Sequence, residues 1–220
     1  MLLSSILTKE NLIAILVILA IITVFAVIFN VLTKKHKEVQ VKTSQKRLIK
    51  DLIETSILVS LTVVLDLIFK MIPFMDMPQG GSVSLTMLPL LVIAYRNGTK
   101  WGVIGGVTYA IINLLLDGKL YHWSSIFLDY LFAFGVIGLA GVFKSFVEKS
   151  SNKLSYVYLV LGSSLVVVAR LAFAVLSGII AFETPFVPSL VYNAPYILIS
   201  GALCIVSLCI IKDVIIKKAN

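Results

Sequence analysis

The chain has 220 residues, a formal net charge of +8 and a mean hydropathy of +1.04, with 59% hydrophobic and only 14% charged residues. Soluble domains carry about a quarter of their residues as charges, so lipid is the expected solvent, and the length admits about six or seven spans of roughly 20 residues with no room for a soluble ATPase or catalytic domain. The basic residues flank apolar runs instead of forming an aromatic-interleaved face, which argues against nucleic acid as a partner.

Taken in chain order, the first apolar run is 11–33. No small-residue cleavage pattern follows it and its C-terminal flank is basic. It is therefore expected to be a retained anchor, residues 1–33, with the N-terminus outside. Residues 34–50 form a basic cytoplasmic linker, read first as a topogenic, lipid-facing run and second as a partner-docking segment. The body, 51–220, shows apolar runs at 52–72, 83–95, 102–116, 126–143, 156–182 and 189–211, each long enough for a helix. The expected fold is an all-α membrane protein, a six-helix bundle preceded by one extra N-terminal transmembrane helix. Lys34, Lys35, Lys37, Lys42, Lys46, Arg47, Lys50, Arg96, Lys100, Lys144, Lys149, Lys153, Lys212, Lys217 and Lys218 fall on one side, 15 of the 19 Lys and Arg residues. The positive-inside rule makes that side cytoplasmic and places the C-terminus there, in a multi-pass protein of the cell membrane.

Ionisable residues within spans are costly and mark candidate sites. Asp66, Asp129 and Arg170 all fall in the outer half of their helices at about 1.5 Å per residue, as do Asn113, Tyr130, Tyr192 and Asn193. Such a shared depth implies one pocket open to the outside. Two aspartates against one arginine predict residual negative charge and a cationic or donor-rich ligand. Alternatively Arg170 pairs with one aspartate and locks helices together. Tyr121, His122 and Trp123 offer aromatic faces for the ligand, or equally an interfacial aromatic belt.

Pro78-Gln79-Gly80-Gly81-Ser82 is a turn-forming stretch at the outer mouth, either a lid or an ordinary turn. Gly102, Gly105 and Gly106, with Gly135, Gly138 and Gly141, fall at helix-face spacing and predict close backbone packing. Pro89 within an apolar run predicts a kink. Ser56 and Ser60 make a small-xxx-small patch suited to packing within the bundle or against a partner helix. Cys204 and Cys209 share one apolar run and imply no disulfide framework. Protease, P-loop, hydrolase and CxxC motifs are missing; Ser150 to Lys153 matches SxxK only within a basic loop. Asn97-Gly98-Thr99 matches a glycosylation acceptor on the cytoplasmic side, the wrong side of the membrane for that modification. The sequence implies no enzyme activity, cofactor or metal.

Gly80-Gly81-Ser82-Val83-Ser84-Leu85, Met87-Leu88-Pro89, Arg96-Asn97-Gly98, Gly102, Gly105-Gly106, Leu128-Asp129-Tyr130, Ala133-Phe134 and Gly138-Leu139-Ala140-Gly141 together resemble the thiamine-specific S component of energy-coupling factor (ECF) vitamin transporters. The resemblance covers roughly residues 46–218 and leaves the first span outside it. It implies a six-helix subunit that captures a vitamin from outside and works with a transmembrane coupling subunit and two ATPases. In this resemblance Asp129 is the acidic ligand contact, Tyr130 the aromatic beside it, Gly178 a pocket glycine and Asn193 an amide contact. Ser56 and Ser60 take the place of the docking motif, which is usually alanine. Ala174 replaces a pocket histidine, Phe182 a stacking tryptophan and Pro188 a tyrosine, departures that fall on the groups fixing ligand identity. A buried polar ligand misses a lost imidazole by roughly 1 to 3 kcal/mol.

The expected function is therefore an S component importing thiamine or a related cationic vitamin or precursor. Asp129 partners the charge or amine, Asn193 the amide, Tyr130, Phe182, Tyr121 and Trp123 are aromatic walls, and Arg170 orients or pairs with an aspartate. The rivals are an S component for another vitamin, a membrane assembly or regulatory protein without a small ligand, and a self-energised channel or secondary transporter.

Overall fold

A computed structural model describes residues 45–72, 77, 81–117 and 122–215, together with Leu16 and Thr23. The expected anchor and most of the basic linker lie outside the described residues, as does the stretch 78–80 of the outer turn. The body is built from α1 (Gln45–Lys70), α2 (Met87–Asn97), α3 (Thr99–Asp117), α4 (Trp123–Lys149), α5 (Asn152–Ala181) and α6 (Phe186–Ile215). All of these but α2 are long and apolar enough to cross a membrane. Their connections alternate, so the C-terminal ends of α2, α4 and α6 and the N-terminal ends of α1, α3 and α5 meet at the basic end of the bundle. There Arg96 pairs with Glu54 at 2.9 Å, Lys144 donates to the Arg96 carbonyl, and Lys212 reaches Asn152 at 3.4 Å.

Helix α2 departs from expectation. With 11 residues it is too short to span, and it begins at Met87, four residues after the expected start at Val83. Residues 81–86 are non-helical yet embedded: the Ser84 N–H donates to Ser200 Oγ at 3.0 Å, and Ser84 and Thr86 hydroxyls bond at 2.8 Å. Irregular backbone at membrane depth persists only where protein or a cavity satisfies it, and here both do. Nearly all of α2 is buried, including Leu90, Leu91, Ile93, Ala94 and Tyr95 at 0% exposure, so it is the core around which the other helices pack. Pro89 lies in its first turn, where a missing N–H costs nothing, and the expected kink has no cause there. Among the described residues the proline in a helix interior is Pro195 of α6, which removes the hydrogen bond to the Val191 carbonyl.

The glycine spacing does what it predicts. A Cβ on Gly106 would collide with the Phe134 carbonyl, and one on Gly138 with the backbone of Gly102 and Val103. Helices α3 and α4 therefore touch backbone to backbone. Helix α4 adapts along its length: Ile126–Phe132 is π-helical and Val136–Phe143 is 3₁₀, so the narrow part carries Gly138 and Gly141 against α3 and the wide part lies away from the basic end. Conversely, α1 buries only Thr55, Val59, Thr62 and Asp66, one stripe at helical spacing. Its remaining surface, with Leu52, Ile53, Ile57, Leu61 and Val64, is exposed to the lipid. Cys204 and Cys209 are both free.

Candidate functional site

The half of the bundle away from the basic end encloses a cavity of about 320 Å³, at the small end for ligand sites. It is lined from α1, α3, α4, α5 and α6 and from the non-helical segment before α2. Asp66, Asn113, Asp129, Tyr130, Arg170, Tyr192 and Asn193 all contribute to its wall, as their shared depth predicts.

Asp129 lies in the π-helical turn of α4, a backbone form that recurs at functional sites because it widens the helix and re-aims its side chains. Its carboxylate accepts from Ser125 Oγ one turn earlier and from Ser177 Oγ of α5 at 2.6 Å. Two hydroxyl donors hold one oxygen and set the orientation, leaving the carboxylate able to receive donors from a ligand. On α6, Asn193 donates to the Ser189 carbonyl at 2.9 Å and accepts from Tyr196 OH at 2.6 Å, so its amide is fixed at the wall. Its carbonyl oxygen retains one lone pair. Gly178 permits this packing: a Cβ there would collide with Ser189 Oγ. Phe182 caps the C-terminal end of α5 and lines the cavity. The turn beyond it is closed by the Thr184 N–H on the Gly178 carbonyl at 3.0 Å, with Glu183 in the left-handed region at φ 51°.

The charge balance differs from the expected negative excess. Lys70, four residues after Asp66, pairs with it at 2.8 Å and donates to Asn113 Oδ1 on α3 at 3.1 Å. The cavity thus holds two acids, Asp66 and Asp129, and two bases, Lys70 and Arg170. Nor does Arg170 lock to an aspartate. Among the described residues its guanidinium makes no ion pair, and it lies over the Phe134 ring, 4.4 Å from the centroid. Lys70 already occupies Asp66, and serines occupy Asp129.

The aromatic loop separates into parts. Tyr121 lies outside the described residues. Trp123 is 67% exposed and takes no part in the cavity wall, which suits an interfacial position. His122 caps α4, its Nδ1 accepting from the Ser124 N–H at 3.3 Å. Pro188 is exposed and off the wall, whereas Ala174 is on it. Ser56 and Ser60 are exposed on α1, their hydroxyls returned to the Leu52 and Ser56 carbonyls at 2.9 and 3.0 Å.

Sequence reasoning missed Lys70, Ser125, Ser177, Tyr109 and Tyr196 as site residues. Three carried a local signal: Lys70 is four residues from Asp66 and Ser125 four from Asp129, each one helical turn away. Tyr196, one turn from Tyr192 and Asn193, carried the same signal, whereas Ser177 and Tyr109 have no such pattern.

Residues 52–220 match the family described as Thiamine transporter protein (Thia_YuaJ). The chain belongs to this family. The Thiamine transporter ThiT of Bacillus subtilis (strain 168) is 36% identical over 184 residues, covering 76% of this chain and 93% of that protein. A solved structure of ThiT from Listeria monocytogenes aligns with a TM-score of 0.60 and 24% identity, over 77% of this chain and 96% of the other. At that identity the likeness speaks for the fold, an all-helical membrane bundle. Membership in the family makes the chain a multi-pass membrane transport protein for a small molecule, and not an enzyme.

Proposed function

We propose that the chain is the substrate-binding S component of an ECF-type transporter and captures thiamine, or a closely related cationic vitamin or precursor, from outside the cell membrane. The observation that carries this reading is Asp129, set by Ser125 and Ser177 on a π-helical turn and facing the cavity. A preset carboxylate in a low-dielectric pocket favours a cation or an amine over a neutral ligand. Asn193 serves as the amide contact, Tyr130 and Phe182 supply aromatic faces, and Gly178 lets α6 approach.

Sidedness follows from the basic end of the bundle, which the positive-inside rule makes cytoplasmic and which puts the cavity outside and the C-terminus inside. Residues 1–33 act as a separate anchor with its N-terminus outside. The bundle contains no ATPase, so release inward depends on a coupling subunit and two ATPases. Ser56 and Ser60, on the exposed face of α1, are the docking patch, because small side chains let a partner helix approach closely. Titration calorimetry of the purified protein tests the ligand: thiamine binds below micromolar concentration, and failure to do so sinks the thiamine assignment. Uptake that persists without the ATPases would point to a self-energised transporter.

A specific observation favours keeping a sibling vitamin in view. Ala174 leaves the wall without the imidazole of the resembled pattern. A binding panel of other vitamins on the same protein separates the two readings.

A further inference from the structure

Helix α1 holds to the bundle by a thin stripe. It packs on α2 and α3, and of its four buried residues, Thr55, Val59, Thr62 and Asp66, only Val59 is wholly apolar. Little hydrophobic area therefore fixes how far the helix is turned about its own axis, and polar ties near its ends reinforce the stripe. At the cavity end the tie is Lys70 to Asn113 at 3.1 Å. At the basic end it comes from the last two residues of α2. Arg96 Nη2 meets Glu54 Oε1 at 2.9 Å, and Asn97 Nδ2 donates to Thr55 Oγ1 at 3.2 Å and to the Asp51 carbonyl at 3.4 Å.

The turn that supplies these groups is built into the core. Tyr95, just before it, is fully buried, and its hydroxyl bonds the Leu159 carbonyl and Ser163 of α5 at 2.9 and 3.2 Å. Gly98 ends α2 at φ 91°, Lys144 of α4 donates to the Arg96 carbonyl, and a Cβ on Gly141 of α4 would collide with the Thr99 nitrogen and the Ala94 carbonyl. Arg96 and Asn97 thus reach from a frame of α2, α4 and α5 to a helix that is otherwise exposed to lipid. Glu54 and Thr55 directly precede Ser56, and holding the first two toward α2 turns Ser56 outward, with Ser60 one turn on. At about 5 Å from the helix axis, a rotation of about 30° carries each serine sideways by roughly 2.5 Å, more than close packing of small residues tolerates.

Resting on the docking role proposed above for Ser56 and Ser60, we propose that Arg96 and Asn97 are positioning residues for docking: they set the rotation of α1 that presents these serines to the coupling subunit. Holding the fold together is a poor account of the same contacts. The side chains of Arg96 and Glu54 are 33% and 24% exposed, Lys50 stands 4.0 Å from Glu54, and an ion pair so open to its surroundings adds little stability. Neither Arg96 nor Asn97 lines the cavity, so the tie acts on the helix and not on the ligand.

Capture of the coupling subunit from host membranes on the tagged full-length protein, set beside its thermal melting in detergent, tests this. Arg96→Glu sets two carboxylates against each other; it lowers capture about tenfold or more while the melting temperature stays within about 3 °C. Adding Glu54→Arg reverses the pair and restores capture to at least about half of wild type. Glu54→Ala removes the ion pair without repulsion and lowers capture about threefold. Wild-type capture by Arg96→Glu, or by Glu54→Ala should the first protein not fold, overturns the inference. So does a folded reversed pair that captures no more than Arg96→Glu, and so does capture that falls only in step with melting, because the contact would then be structural. Ser56→Leu with Ser60→Leu separates the two readings. Capture retained there overturns the docking patch and this inference with it, as does a wild-type protein that captures no coupling subunit. Capture lost there but kept by Arg96→Glu overturns this inference alone.

Discussion

At the scale of single residues, Asp66 and Lys70 illustrate how a charge is kept inside a membrane helix. Asp66 is 5% exposed, and its partner is supplied one turn along the same helix and tied to Asn113 on α3. Lys70→Ala strands a buried carboxylate and is expected to destabilise the protein by about 3 to 5 kcal/mol, whereas replacing both members, Asp66→Leu with Lys70→Met, is far milder. Thermal melting in detergent distinguishes them. Asp129→Asn keeps a side chain that Ser125 and Ser177 can still hydrogen-bond, so the fold should survive. Affinity for a cationic ligand should fall about tenfold to a hundredfold, measured by titration calorimetry. Depth along a helix was enough to bring Asp66, Asn113, Asp129, Arg170 and Asn193 to one cavity from the sequence. What depth cannot supply is which charge meets which, and so the pairing of Asp66 with Lys70 and the stacking of Arg170 on Phe134 emerged only from the fold.

At the scale of elements, the seam between α3 and α4 is the tightest contact, and it depends on atoms that are missing. Gly106→Val forces a side chain into the Phe134 carbonyl, and separating two backbones is expected to cost at least about 1 to 3 kcal/mol. A fall in melting temperature with loss of ligand binding checks it, and Gly98→Ala is a poor control because Gly98 has φ 91°. Helical periodicity and glycine spacing made this seam legible, since both are local patterns. The start of α2 was not legible. Val83 to Leu85 are apolar enough to read as helix, but their backbone is held by Ser200 of α6, 116 residues away from Ser84. The π-helical turn around Asp129 likewise has no signature in Ile126–Phe132 itself.

At the scale of the whole molecule, the helices divide the work. The polar groups of the cavity belong to one half of the bundle, the basic and acidic clamps to the opposite end, and α1 connects the two while leaving most of its surface uncovered. Placing Leu at both Ser56 and Ser60 should abolish uptake in cells that contain the coupling subunits while leaving ligand affinity within about twofold, because neither residue approaches the cavity. Retained uptake would place docking on another face.

The face of α5 that carries Arg170, Ala174 and Gly178 has a consequence for how such a protein diversifies. Ala174, in its middle, lines the cavity and bears none of the glycine and backbone contact that holds α3 and α4 together, whereas Gly178 is held to its size by Ser189. Exchanges at position 174 alter what the cavity accepts without disturbing that seam. A change of cargo is thus a matter of few positions on one helix face, and the same frame can be inherited unchanged by carriers of different nutrients.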